Sequence, residues 1–163
     1  MDVRTQKFLV LGVSKSGYYA VKHILSRGGT CYIYEELSGE KINQSISELI
    51  SLGAENVTNN VYDVIKDVDV LLVSPGIPIN HELCVYAKKE GKRIVGELEF
   101  GFMQYNPLTI AVTGTNGKTT TVNMISNVFN SAKVKNKLVG NVGVPVSKVL
   151  DESDKDTAMI TEV

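Results

Sequence analysis

The run Ala111-Val112-Thr113-Gly114-Thr115-Asn116-Gly117-Lys118-Thr119-Thr120 decides how this chain is read. An apolar segment, Leu108 to Val112, runs into it, and Met124, Ile125, Val128 and Phe129 recur at helical spacing after it. Strand, glycine-bearing turn and helix in that order make an anion site. The first N–H groups of a helix lack intrahelical acceptors, and the helix dipole adds partial positive charge beside them. The run therefore predicts a nucleoside triphosphate site over Gly114, Thr115, Asn116, Gly117, Lys118, Thr119 and Thr120. Lys118 is expected on the terminal phosphates, Thr119 on a magnesium ion, and Thr120 in support of the helix start. The spacing is a variant of the usual G-x-x-x-x-G-K-[ST], because Val112 stands at the first glycine position. A glycine-rich turn with a solvated lysine, the alternative, would need neither the strand nor the helix.

Upstream of this run, apolar strand-like segments alternate with helical ones. Lys7 to Leu11, Thr30 to Tyr34, Val68 to Val73 and Arg93 to Val95 read as strands. Gly17 to Arg27, Ile42 to Leu52, about Asn80 to Glu90, and Glu97 to Met103 read as helices. That alternation predicts the α/β class, with a parallel sheet covered by helices. Asn106-Pro107 breaks the pattern, so a boundary is expected near residues 104 to 107. The chain then divides into a Rossmann-like parallel-sheet domain over 1–105 and a second, phosphate-loop α/β domain beginning at 106. The second has a strand at Lys137 to Val139, a helix near Val144 to Leu150 and a strand from Ala158. About 57 residues are too few for several strands with helices on both faces, so 106–163 is expected to be the truncated first part of that domain.

Bulk properties narrow the partners. Lysine and arginine total 17 against 18 acids, for a formal net charge of −1, and no long single-sign run occurs. Nothing here points to nucleic acid or an anionic membrane, and a small discrete ligand is the better expectation. Cys31 and Cys84 sit in apolar stretches without metal-like spacing and are expected as buried free thiols, which suits a reducing cytoplasm. The first apolar run, Phe8 to Leu11, is too short for export or a membrane span.

Two loops of the first domain carry candidate ligand contacts. Gly12-Val13-Ser14-Lys15-Ser16-Gly17 lies between strand and helix as a dinucleotide fingerprint does, with Ser14 at the middle glycine. Ser14, Lys15 and Ser16 offer donors to a diphosphate. Glu35 and Glu36 end the second strand, where such folds place a carboxylate on a ribose, although a strand end entering solvent reads equally well. Ser74-Pro75-Gly76-Ile77-Pro78 follows the strand Val68 to Val73, at the edge where open parallel sheets bind ligands; Pro-Gly also describes an ordinary turn. His23 and His81 have no paired ligand in sequence and are expected to pack or face solvent.

Together these segments resemble the Mur ligase family. Gly114 to Thr120 is similar to its ATP loop, and Ser74 to Pro78 to a signature of its D-glutamate-adding members. Gly140-Asn141-Val142-Gly143-Val144-Pro145 and the terminal Thr161-Glu162-Val163 are similar to two further segments, in the same order. The resemblance implies ATP and Mg2+ as cofactors and a reaction in peptidoglycan synthesis. UDP-N-acetylmuramoyl-L-alanine would be phosphorylated on its carboxylate, and the amine of D-glutamate would attack the acyl phosphate. It implies that Lys118 neutralises phosphate charge, that Thr119 and Glu162 hold magnesium, and that Asn141 touches the substrate or metal region. Ser14, Lys15, Ser16, Glu35, Ser74, Pro75, Gly76 and Ile77 would line the uridine diphosphate site. The parent enzyme is expected to be cytoplasmic and monomeric, acting on small molecules, and the present chain to be inactive alone. Another ATP-dependent carboxylate-amine ligase, of another Mur or the folylpolyglutamate type, and a noncatalytic nucleotide-binding module are the alternatives.

Overall fold

Four consecutive residues of β1 (Lys7–Leu11), Phe8 to Leu11, are buried, the pattern of a strand covered on both faces. The computed structural model that shows this describes residues 1–105, 107–140, 143–154 and 156–163. After β1 comes α1 (Ser16–Ser26), which turns Gly17, Ala20, Val21 and Ile24 inward at helical spacing. It stops where Gly28, at φ +80°, lets Gly29 N–H reach the Ile24 carbonyl at 2.9 Å. The chain continues through β2 (Thr30–Tyr34), α2 (Glu40–Ser51), β3 (Glu55–Asn56), α3 (Val61–Asp67), β4 (Val70–Val73), α4 (Glu82–Lys89), β5 (Arg93–Gly96) and α5 (Glu97–Gln104). All five strands run parallel in the order β3-β2-β1-β4-β5. The α/β class and the Rossmann-like parallel sheet expected from the sequence are present. β3 and α3 were not expected, and α4 begins at Glu82 rather than near Asn80, with His81 as its cap.

The order of strands decides where a ligand fits. From β1 the chain first moves outward to β2 and β3, then returns to place β4 on the other side of β1. The carboxyl ends of β1 and β4 therefore flank a topological switch point, where loops diverge and leave a crevice.

A second, three-stranded parallel sheet follows, in the order β6-β8-β7, from β6 (Thr109–Val112), β7 (Asn136–Gly140) and β8 (Ala158–Glu162). Between these strands lie α6 (Lys118–Ser131) and the single turn α7 (Val146–Val149), shorter than the expected Val144 to Leu150. Of α6 only Val122 is buried, while Met124 and Val128 remain 62 and 64% exposed. The central strand β8 buries Ala158 to Thr161. One apolar cluster crosses between the sheets, joining Phe8, Val10, Ile24 and Phe100 to Val139, Val146, Val149 and Met159. Among the described residues no helix is long and apolar enough to cross a membrane.

Candidate functional site

The loops that leave β1 and β4 are tied directly to each other. Ser74 N–H donates to the Leu11 carbonyl at 3.1 Å, and the Ser74 hydroxyl donates to the Gly12 carbonyl at 2.7 Å, a buried bond between residues 62 apart in sequence. Gly12 has φ +79°, and a Cβ there would lie 3.1 Å from Ile77 Cδ1, so conformation and space both select glycine. Glu35, at the end of β2, is engaged by backbone. One carboxylate oxygen accepts from Val13 N–H at 2.8 Å and the other from Leu37 N–H at 3.0 Å. Its place at the crevice is as expected, but in this arrangement it braces two loops.

A cavity of about 250 Å³ opens there, between Ser14, Glu35, Ser74, Gly76, Ile77 and His81. Tyr34, Glu36 and His81 form its outer wall, and only Glu36 of the three was a ligand candidate from the sequence. The Tyr34 hydroxyl donates to Glu36 at 2.7 Å, and His81 Nε2 lies 3.3 Å from the same oxygen. Since His81 Nδ1 accepts from Leu83 N–H, the tautomer that satisfies both contacts carries its proton on Nε2. Burial, and next the bond to Glu36, push the Tyr34 hydroxyl up to about 12. The Tyr34 bond holds the Glu36 carboxyl below its ordinary range, against a smaller effect of desolvation. Glu36 was visible in sequence; its convergence with His81, 45 residues away, was not.

A second cavity of about 270 Å³ shares Ser14, Ser74 and Gly76 with the first and continues between the two sheets to Glu97, Pro145 and Glu162. Lys15, Ser16 and Pro75 also line it. Every expected nucleotide-sugar residue of the first domain therefore borders one or the other cavity; Asn141, expected from the second domain, lies outside the described residues.

The phosphate-loop run has the local structure its sequence demands. Gly114 and Gly117 have φ of +146° and +79°, and Gly117 caps α6 in a left-handed conformation. Lys118 Nζ donates to the Gly114 carbonyl at 2.7 Å, so the lysine lies back along its own loop. Thr115, Asn116 and Thr120 are exposed around it. The register of β6 on β8 sets Val112 opposite Glu162. That register brings together two residues 43 apart, the Thr119 hydroxyl donating to Glu162 Oε2 at 2.8 Å. Two hard oxygen donors thus stand side by side where the second cavity meets the loop. Among the described residues, no group of three or more His, Cys, Asp or Glu could hold a metal by themselves.

The walls of the second cavity belong to both sheets and are held by α7. Glu97 Oε1 accepts from Ser147 N–H at 2.8 Å. On the far side of α1, Asp151 accepts from Arg27 at 2.9 Å and lies 3.3 Å from His23 Nδ1. Burial pushes the His23 imidazole down, opposed by Asp151. Its ring meets Phe100 edge-on at 6.0 Å, so His23 packs, as expected.

Comparison with known proteins agrees with this arrangement. Residues 6–96 match the model of the Mur ligase MurD-like N-terminal domain, and residues 112–162 that of the Mur ligase middle domain. The chain belongs to the Mur ligase family. It is 32% identical over its whole length to a UDP-N-acetylmuramoylalanine--D-glutamate ligase of Clostridioides difficile, of which it covers 37%. With the enzyme of that name from Ligilactobacillus salivarius it shares 34% identity over 98% of the chain and 35% of the relative. This Mur ligase chain thus spans little more than a third of the length of these curated relatives. A murein peptide ligase of Psychrobacter arcticus shares its fold, at a TM-score of 0.55 and 20% identity over 96% of this chain and 37% of that one.

Proposed function

We propose that this Mur ligase chain supplies the nucleotide-sugar site and the phosphate loop of a cytoplasmic, monomeric, ATP-dependent ligase of peptidoglycan synthesis. The ligase would join D-glutamate to UDP-N-acetylmuramoyl-L-alanine through an acyl phosphate. In this reading 1–105 is the UDP-sugar-binding domain and 106–163 the first part of the ATP-binding domain. The observation that carries it is the continuity of the two cavities. They share Ser14, Ser74 and Gly76, begin at Glu35 and end at Glu162, beside Thr119. An elongated ligand with a nucleoside at one end and a carboxylate at the other suits such a trough.

Each segment of the trough supports a part of that ligand. The nucleoside fits the cavity walled by Glu35, Ile77 and His81; the diphosphate fits the Ser14-Lys15-Ser16 loop at the start of α1, where helix N–H groups and a lysine face an anion. The sugar and its acyl arm extend toward Glu162. At the phosphate loop, Lys118 would exchange the Gly114 carbonyl for phosphate oxygens. Thr119 and Glu162 would hold Mg2+, an ion that completes its shell with water and phosphate and there supplies charge neutralisation. Phosphoryl transfer asks a protein chiefly for such positioning and charge.

Calorimetric titration of the chain tests the reading. UDP-N-acetylmuramoyl-L-alanine is expected to bind at least tenfold more tightly than UDP, because only the longer ligand extends along the second cavity to Glu162. Equal affinities, or no binding of either, would count against the assignment.

A further inference from the structure

Glu97 is the buried acid that the proposed chemistry leaves without a task. It opens α5, is 2% exposed, and has no cationic partner among the described residues. An ionised carboxylate in such a place is unfavourable by several kcal/mol, at order of magnitude, unless polar contacts compensate. One such contact is the bond from Ser147 N–H to Oε1 at 2.8 Å. That bond engages one oxygen. Glu97 lines the second cavity together with Ser74, Pro145 and Glu162, between the diphosphate loop and the Thr119–Glu162 pair. The Ser147 side chain also favours the ionised carboxyl, and neither Ser147 contact supplies a positive charge.

We infer that Glu97 is a specificity residue for the sugar-acyl part of the nucleotide ligand, its second oxygen accepting a hydrogen bond from a neutral hydroxyl or amide N–H donor. The inference rests on the nucleotide-sugar reading above. A carboxylate oxygen can only accept, so the partner must be a donor. The carboxylate end of the ligand is excluded as that partner, because it would bring a second negative charge against Glu97 beside Glu162. An N-acetylated sugar with an amide-linked arm offers hydroxyl and amide donors of the required kind, whereas UDP alone stops at the Ser14-Lys15-Ser16 end of this cavity. Burial pushes the Glu97 carboxyl up, opposed by its contacts with Ser147.

Glu97→Gln separates the two contacts. The amide oxygen still accepts from Ser147 N–H, and the atom facing the cavity becomes a donor. Calorimetry of the chain with UDP and with UDP-N-acetylmuramoyl-L-alanine is expected to show unchanged UDP affinity. The longer ligand should bind about tenfold more weakly or worse, the usual scale for a lost hydrogen bond to a charged group. Glu97→Asp, which keeps the charge but withdraws it by one methylene, is expected to show the same selective loss and serves if the glutamine variant does not fold. Unchanged affinity for both ligands overturns the inference, as does a parallel loss of both, which would mark a purely structural role. If the unsubstituted chain binds neither ligand, the functional reading itself fails; if it binds both and the variants do not discriminate, only the role of Glu97 fails.

Discussion

Replacing Gly17 by alanine sets two physical effects of opposite sign against each other. Gly17 is the second residue of α1, and at an ordinary helical position alanine is favoured over glycine by about 0.8–1.0 kcal/mol. Here the new Cβ would fall on the Gly12 carbonyl oxygen, 3.0 Å from the Gly12 carbonyl carbon and 2.7 Å from Ser74 Oγ. Carbon atoms in contact prefer about 3.5–4.0 Å, so the loop or the helix must withdraw by about 1 Å. The obstacle is backbone and cannot rotate away. Overpacking of this kind costs about 1–3 kcal/mol. Disturbing the buried Ser74–Gly12 bond adds about 1–3 kcal/mol. The net expectation is a destabilisation of roughly 1–5 kcal/mol, which for a chain of this size lowers Tm by roughly 2–20 °C. Thermal unfolding followed by circular dichroism measures it, with Gly76→Ala as control. Nothing lies within 4 Å of a Cβ at Gly76, and its φ is not in the left-handed range, so that variant is expected to gain about 0.4–1 kcal/mol. A Tm for Gly17→Ala equal to or above that of the unsubstituted chain would mean that the Gly12 carbonyl does not obstruct a Cβ at this position. The same variant should also lose UDP affinity, because the displaced loop is the one that faces the diphosphate.

Three further expectations concern separate parts of the molecule. Because burial raises the Glu97 pKa, the folded chain holds that proton more tightly than the unfolded one, and stability from this group falls as pH rises through the carboxylate range toward the folded pKa. Glu97→Gln should therefore have a higher Tm than the unsubstituted chain at pH 7.5 and lose that advantage at pH 4; a pH-independent difference would contradict the sign. Cys31 and Cys84 are buried free thiols with pKa values pushed up by burial, so a thiol-specific chromogenic reagent should titrate neither in native buffer and both in denaturant. Lys118→Ala should weaken Mg–ATP binding at least tenfold in calorimetry and leave UDP affinity unchanged; a loss of UDP binding would show that the phosphate loop and the first cavity are not independent.

Most of the fold was legible because its elements are written in local pattern. The four buried residues of β1, the spacing of Ala20, Val21 and Ile24, and the glycines of the two loops each carry their own signal. α3 was missed although Val61 and Ile65 are spaced as a buried helical pair, because a helix of seven residues spans only about two turns and repeats the pattern once. β3 has no pattern to read. It is two exposed residues, Glu55 and Asn56, that become a strand only by hydrogen bonding to Tyr32 and Ile33. In α6 the opposite holds, since Met124 and Val128 recur at helical spacing and are exposed, so periodicity revealed the helix and not what covers it.

Local sequence was enough to mark which residues could bind phosphate, because a glycine free to turn left-handed, a lysine and a threonine at a helix start are local requirements met by Gly117, Lys118 and Thr119 in a row. It also determined the strand ends that could face a nucleotide, at Gly12, Glu35 and Ser74. Folding of the whole chain is what brings these residues together. The return of β4 beside β1 joins Ser74 to Gly12, the register of β6 on β8 joins Thr119 to Glu162, and α7 closes the wall through Glu97. Strand order and register are settled by which buried faces pack together across the whole chain, and a residue's neighbours in sequence carry little of that information.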